Sequence, residues 1–159
     1  MDDVIGEAGV ETLALSRTIK ADVKRVFEAW TRPELLQKWL GPEGVIVKKA
    51  TVDLVVGGRY DLEMITPGGD HVHHYGFYRE IDPNRRLVFT WILDGQACSG
   101  SDDTFVETEV IVELKEKGEE VEVALTHTGL LTQEICDSHR FGWEGCLVSV
   151  DALLQGMKG

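Results

Sequence analysis

Residues Thr132 to Gly156 read TQEICDSHRFGWEGCLVSVDALLQG. The stretch contains no proline, and Ile135, His139, Trp143, Leu147, Val150 and Leu154 recur at helical spacing. That period puts them on one stripe of a long helix. A helix with one apolar stripe must bury it against another element. Gly142 and Gly145 each cost a helix interior ~1 kcal/mol relative to alanine, so Gly142 is expected to mark the closest approach of the opposing element. The fold turns on what lies opposite this stripe.

Upstream, the period is two. GVIVKKATVDLVV, GRYDLEMI, HVHHYGFYREI, RRLVFTWIL, TFVETEVIVELKE and EEVEVALTHT are six strand candidates. They are separated by GG, TPGGD, DPN, DGQACSGSDD and KG, all turn or loop signals. Connections this short make antiparallel neighbours. A seventh strand, VETLALSRTI (Val10–Ile19), opens the chain. Two short helices follow it. In ADVKRVFEAWT the apolar Val23, Val26, Phe27 and Trp30 share a face, with Asp22 as the expected cap. PELLQKWLG starts on Pro33 and stops at Gly41-Pro42. The expected class is α+β: a seven-stranded antiparallel sheet, two short helices after strand 1, and a long C-terminal helix.

Composition narrows the function classes. The chain has 159 residues and 43% hydrophobic content, the size of one domain with a core of its own. Residues 1–159 are read as a single domain, with 1–9 as a flexible N-terminus. Sixteen basic residues against 28 acidic ones give a net charge of −12. Such a surface repels phosphate backbones and anionic membranes, so no nucleic-acid partner is expected. No run is long and apolar enough for membrane insertion, and the acidic start MDDVIGEAGVETL lacks the features of a signal peptide, so the expected location is cytoplasmic. Cys98, Cys136 and Cys146 are odd in number and lack CxxC spacing, which argues for reduced structural thiols.

Five stretches, in order, carry a resemblance. They are RTIKADVKRVFEAWTRPELLQKWLGPEG, DLVVGGRYDLEM, YGFYREIDPNRRLVFTW, LTHTGL and HRFGWEGCLVSVDALL. Together they resemble the START-like (SRPBCC) helix-grip superfamily, and within it bacterial proteins related to the C-terminal domain of the heat-shock-protein ATPase activator. The resemblance implies a helix-grip (START-like, Bet v-like) fold, a curved sheet wrapped on the long helix. Relatives include lipid and hormone binders, aromatase/cyclases, hydrolase-like members and a chaperone activator, so the fold by itself selects none of these.

A curved sheet gripping a helix leaves a natural ligand cavity between them. The expected lining is Phe27, Trp30 and Trp39 from the short helices, Tyr60, Leu62 and Met64 from one strand, Tyr75 and Phe77 from the next, Phe89 and Trp91 from the one after, and Trp143 from the last helix. His73, on the Tyr75 face, and His139, one turn before Trp143, are the expected polar anchors with Tyr75. The cavity is expected on the His139 side of Gly142. Strand alternation points His71 and His73 one way and His74 the other, so the triplet cannot converge on one metal. His127 ends a strand whose inward set is Val121, Val123 and Leu125, where a hydrogen-bonded structural role is the ordinary one. No nucleophile elbow, paired inward carboxylates or phosphate-binding glycine loop is present.

The expected function is binding of a small apolar or aromatic ligand, with no catalytic residue, metal or cofactor assigned. The chain is expected to act as a monomer or homodimer. The alternatives are a cyclase- or hydrolase-like enzyme using a pocket histidine, and a module that binds a chaperone or another protein.

Overall fold

The computed structural model describes residues 11–40, 46–94, 105–130 and 133–156. The expected elements appear in the expected order. They are β1 (Glu11–Ile19), α1 (Val23–Thr31), α2 (Pro33–Trp39), β2 (Ile46–Val52), β3 (Arg59–Ile65), β4 (His71–Asp82), β5 (Arg86–Asp94), β6 (Phe105–Lys117), β7 (Glu120–Leu130) and α3 (Gln133–Gly156). The strands form one antiparallel sheet in the order β1-β7-β6-β5-β4-β3-β2. The readings of residues 1–9, of Gly41-Pro42 and of Cys98 lie outside the described residues.

The meander places sequence neighbours side by side from β2 to β7, and β1 then closes onto β7. β2 is shorter than its apolar run suggests. Leu54, Val55 and Val56 belong to the turn before β3 and are exposed. α3 packs on β1 and β7 and against α1 and α2. Its outer flank is tied to β1 by Arg17–Asp151 (2.8 Å) and by Arg140 donating to the Ala14 carbonyl (3.4 Å). Trp39 Nε1 donates to the Ala29 carbonyl (2.7 Å), so α2 is locked onto α1 and both close one end of the grip. Asp22 occupies the N-cap position of α1, but its carboxylate makes no capping hydrogen bond.

The buried stripe of α3 comprises Ile135, Cys136, Trp143, Cys146, Leu147, Val150 and Leu154. Trp143 Nε1 donates to His127 Nδ1 on β7 (3.1 Å). An indole N–H can only donate, so His127 accepts at Nδ1 and carries its proton on Nε2. That Nε2–H faces Thr108 Oγ1 on β6 (2.7 Å), and Thr108 passes its own proton to the Trp91 carbonyl on β5 (2.5 Å). A polar thread thus runs from α3 across three strands through a core in which His127 is fully buried. Every donor in it has an acceptor, the condition under which a buried network adds to stability.

The expected close approach at Gly142 does not occur. A Cβ at Gly142 or Gly145 would meet nothing within 4 Å, so these glycines admit no opposing element. A glycine that does so across the sheet is Gly76 on β4. Tyr60 lies opposite it on β3 and reaches over it to donate to the Thr90 carbonyl on β5 (2.5 Å). A Cβ at Gly76 would collide with that carbonyl and with the Tyr60 ring.

Two outcomes follow. Gly76→Ala should destabilise the chain by about 1–3 kcal/mol or more, as overpacking does, measured by urea unfolding; an unchanged midpoint would refute the close approach. The second concerns acid. Burial is the main cause that lowers the pKa values of His127 and His74 to about 3. Both folded values lie below the unfolded value of about 6.5, so the unfolded chain binds more protons between the two. Stability is therefore full above pH 6.5 and lost as pH falls towards 3. Unfolding free energy at pH 5 should be lower than at pH 7 by on the order of 2 kcal/mol per histidine. In His127→Gln the drop should be about half as large. A pH-independent free energy over this interval would contradict the buried neutral rings.

Candidate functional site

The helices and sheet meet in an aromatic cluster. Trp30 packs on Trp39 (ring centroids 4.7 Å apart) and on Trp143 (6.2 Å), and Trp143 packs on Trp91 (5.0 Å). Tyr60 packs edge-on to Phe89 (5.6 Å), and Phe89 continues to Trp91 (6.4 Å). Within this cluster lies a void of about 20 Å³ lined by Trp30, Leu36, Leu40, Tyr60, Leu62, Tyr78, Phe89, Trp91 and Trp143. That is room for one water. The aromatic side chains therefore fill nearly all of the space expected to be a cavity.

Six of the expected lining residues stand around the void: Trp30, Tyr60, Leu62, Phe89, Trp91 and Trp143. Phe27 and Trp39 are buried beside it, and Met64 is half-buried at the margin of the core. His139 is half-buried, with Nδ1 facing the Ile135 carbonyl (2.9 Å) and its ring edge-on to His127 (5.3 Å). Burial lowers its pKa despite that hydrogen bond.

His73, Tyr75 and Phe77 require correction, because they face out of the sheet and not into the grip. Directly paired residues share a face. The register sets Leu62 opposite His74 and Tyr60 opposite Gly76, so His74, Gly76 and Tyr78 point inward and are buried. Asp61 opposes Tyr75 and Glu63 opposes His73 on the outer face. There His73 Nε2 meets Asp61 Oδ1 (2.8 Å), and the Arg59 guanidinium sits 4.2 Å from the centre of the Tyr75 ring. Arg59 also binds the Asp61 carboxylate and is the main cause that lowers its pKa. The alternating segment HVHHYGFY has aromatic rings at both parities, so the segment alone does not choose its face.

Sequence reading missed Leu36, Leu40 and Tyr78 in the wall and His74 behind it. Pairing with β3 was the available signal, since Leu62 read as inward carries His74 with it. The His74 ring lies against Trp91 (3.8 Å) and near Tyr60 (6.1 Å). Burial, then the neighbouring His139 and His73, keep it neutral. His71 and His73 are on the opposite face, and no group of three His, Cys, Asp or Glu among the described residues is arranged to hold a metal. Chemically, the interior offers apolar walls, a committed His127 and a neutral His74.

Comparison with known proteins agrees with this architecture. The chain is similar to a structure from Nitrosomonas europaea at 22% identity, over 98% of this chain and 99% of that one, with a TM-score of 0.78. A Chromobacterium violaceum protein is 26% identical over 90% and 96% of the two chains, with a TM-score of 0.79. An AHSA1 protein from Silicibacter pomeroyi is 22% identical over 91% and 98%, with a TM-score of 0.78. No curated protein matches the chain. The family model described as activator of Hsp90 ATPase homolog 1-like protein matches residues 20–155, and the chain belongs to that family, within the helix-grip superfamily.

Proposed function

We propose that this chain binds a small apolar or aromatic molecule between the sheet and α3. The observation that supports this is the void itself. Six elements converge on it, and its walls are aromatic or aliphatic side chains with few polar atoms. A gap with apolar walls holds water poorly, so it favours an apolar occupant. A ligand larger than water must displace side chains, and Leu36 of the short α2 with Leu40 just after it form the aliphatic part of the wall that comes from outside the sheet. On this reading the chain acts in the cytoplasm as one domain, a monomer or a homodimer.

The catalytic alternative has less support. His127 spends both ring nitrogens inside the polar thread, so it has no lone pair to offer a substrate. A protein-binding role is supported by a separate observation. Phe141 and Val148, seven residues apart on the outer side of α3, are 72% and 51% exposed. Together with the family description this suggests a chaperone-type partner. Under that role, Phe141→Ser should abolish stimulation of a chaperone ATPase while leaving dye binding intact.

The binding reading predicts the behaviour of a filled void. Leu40→Phe should weaken binding of a naphthalene-sized apolar dye at least about tenfold, at a stability cost no larger than the ~1–3 kcal/mol of ordinary overpacking. Dye titration and urea unfolding of both proteins check it. Unchanged dye affinity in the variant, or no dye binding by the parent chain, would end the proposal. Native mass spectrometry of freshly purified protein should show a bound small molecule.

A further inference from the structure

The tryptophans of the cluster are not alike in their polar atoms. Trp39 Nε1 donates to the Ala29 carbonyl (2.7 Å), and Trp143 Nε1 donates to His127 (3.1 Å). Trp30 packs between these two rings and is 4% exposed, yet its Nε1–H has no acceptor among the described residues. A buried donor without a partner carries a desolvation cost, and such groups are rare. Trp30 is also a wall of the void. The second buried nitrogen without a partner, His74 Nε2, stands one ring behind that wall, its ring tilted against Trp91. Both orphaned groups of the described core thus fall in one aromatic cluster.

We infer that the void takes an uncharged, flat molecule bearing a hydrogen-bond acceptor, a carbonyl or hydroxyl oxygen, that receives the Trp30 indole N–H. This rests on the binding reading above. The donor is fixed, because indole N–H cannot accept. An anion is excluded on two grounds. The lining side chains carry no counter-ion, so an ion would be buried unpaired. The chain's net charge of −12 also opposes the approach of an anion. A flat shape suits the walls, most of which are aromatic rings.

Matched probes test this. 2-Acetylnaphthalene carries a carbonyl that can only accept, and 2-isopropenylnaphthalene has nearly the same shape without it. Titrated against the intact chain, the ketone should bind about tenfold more tightly, the worth of one buried hydrogen bond. Trp30→Phe keeps an aromatic ring and removes the N–H. It should abolish the preference, so that ketone and hydrocarbon bind the variant with equal affinity. In the parent chain, the Trp30 indole resonance in ¹⁵N-resolved NMR should move downfield with the ketone only, and those of Trp39 and Trp143 should not. That readout stands even if the variant fails to fold. Equal affinity for the two probes overturns the inference and leaves the binding reading intact. So does an unmoved Trp30 resonance, or one that keeps its contact to water with ketone present, which would mean a buried water only. Binding of neither probe overturns both.

Discussion

The hydrogen bond from Trp143 to His127 sets the geometry on which the rest of the interior depends. A long amphipathic helix lying on a sheet has rotational and translational freedom that apolar contacts alone constrain weakly, because hydrophobic burial is not directional. A single donor aimed at a single acceptor removes that freedom. His127 holds the indole of α3 in place and is itself held through Thr108 by the backbone of β5. The tautomer of the histidine follows from its partners, so the thread works only with a neutral ring. Burial that keeps the ring neutral and hydrogen bonds that need it neutral act in the same direction.

With Trp143 placed, the aromatic cluster is placed. Trp30 packs against one side of it and Trp91 lies on another, and Tyr60 and Phe89 continue the cluster across the sheet. Tyr60 can lie there only because Gly76 has no side chain to block it. The interior is thus assembled from large flat rings, three of them held by hydrogen bonds of their own. The small void, and the Trp30 indole at its edge, are where these separate constraints meet.

Much of the architecture was legible because it rests on local period and punctuation. The α3 stripe, the two helices divided at Pro33 and the turns of the meander at GG, TPGGD, DPN and KG are all short-range signals, and each matches its element. The inward sets on β3 and β7 were legible too, since most of their apolar residues fall at one parity. β4 was different. Rings occur at both parities of HVHHYGFY, and its face was settled by pairing with β3, where Leu62 carries His74 and Tyr60 carries Gly76 to the inside. His73, Tyr75 and Phe77 were thereby turned outward, where Asp61 and Arg59 receive them.

By itself, the sequence determined the order and type of the elements, the acidic surface and the need for a helix gripped by a sheet. Those follow from period two, period 3.6, turn residues and charge count, none of which depends on distant contacts. Only the tertiary structure decided which histidine is buried, which glycine is a close approach and how little space remains inside. These are properties of residues that lie far apart in sequence and touch across strands. Gly76 matters because of Tyr60 and Thr90, and Trp30 is left without an acceptor because Ala29 and His127 serve its neighbours. A one-dimensional pattern records that a donor exists, and packing decides whether anything is left to receive it.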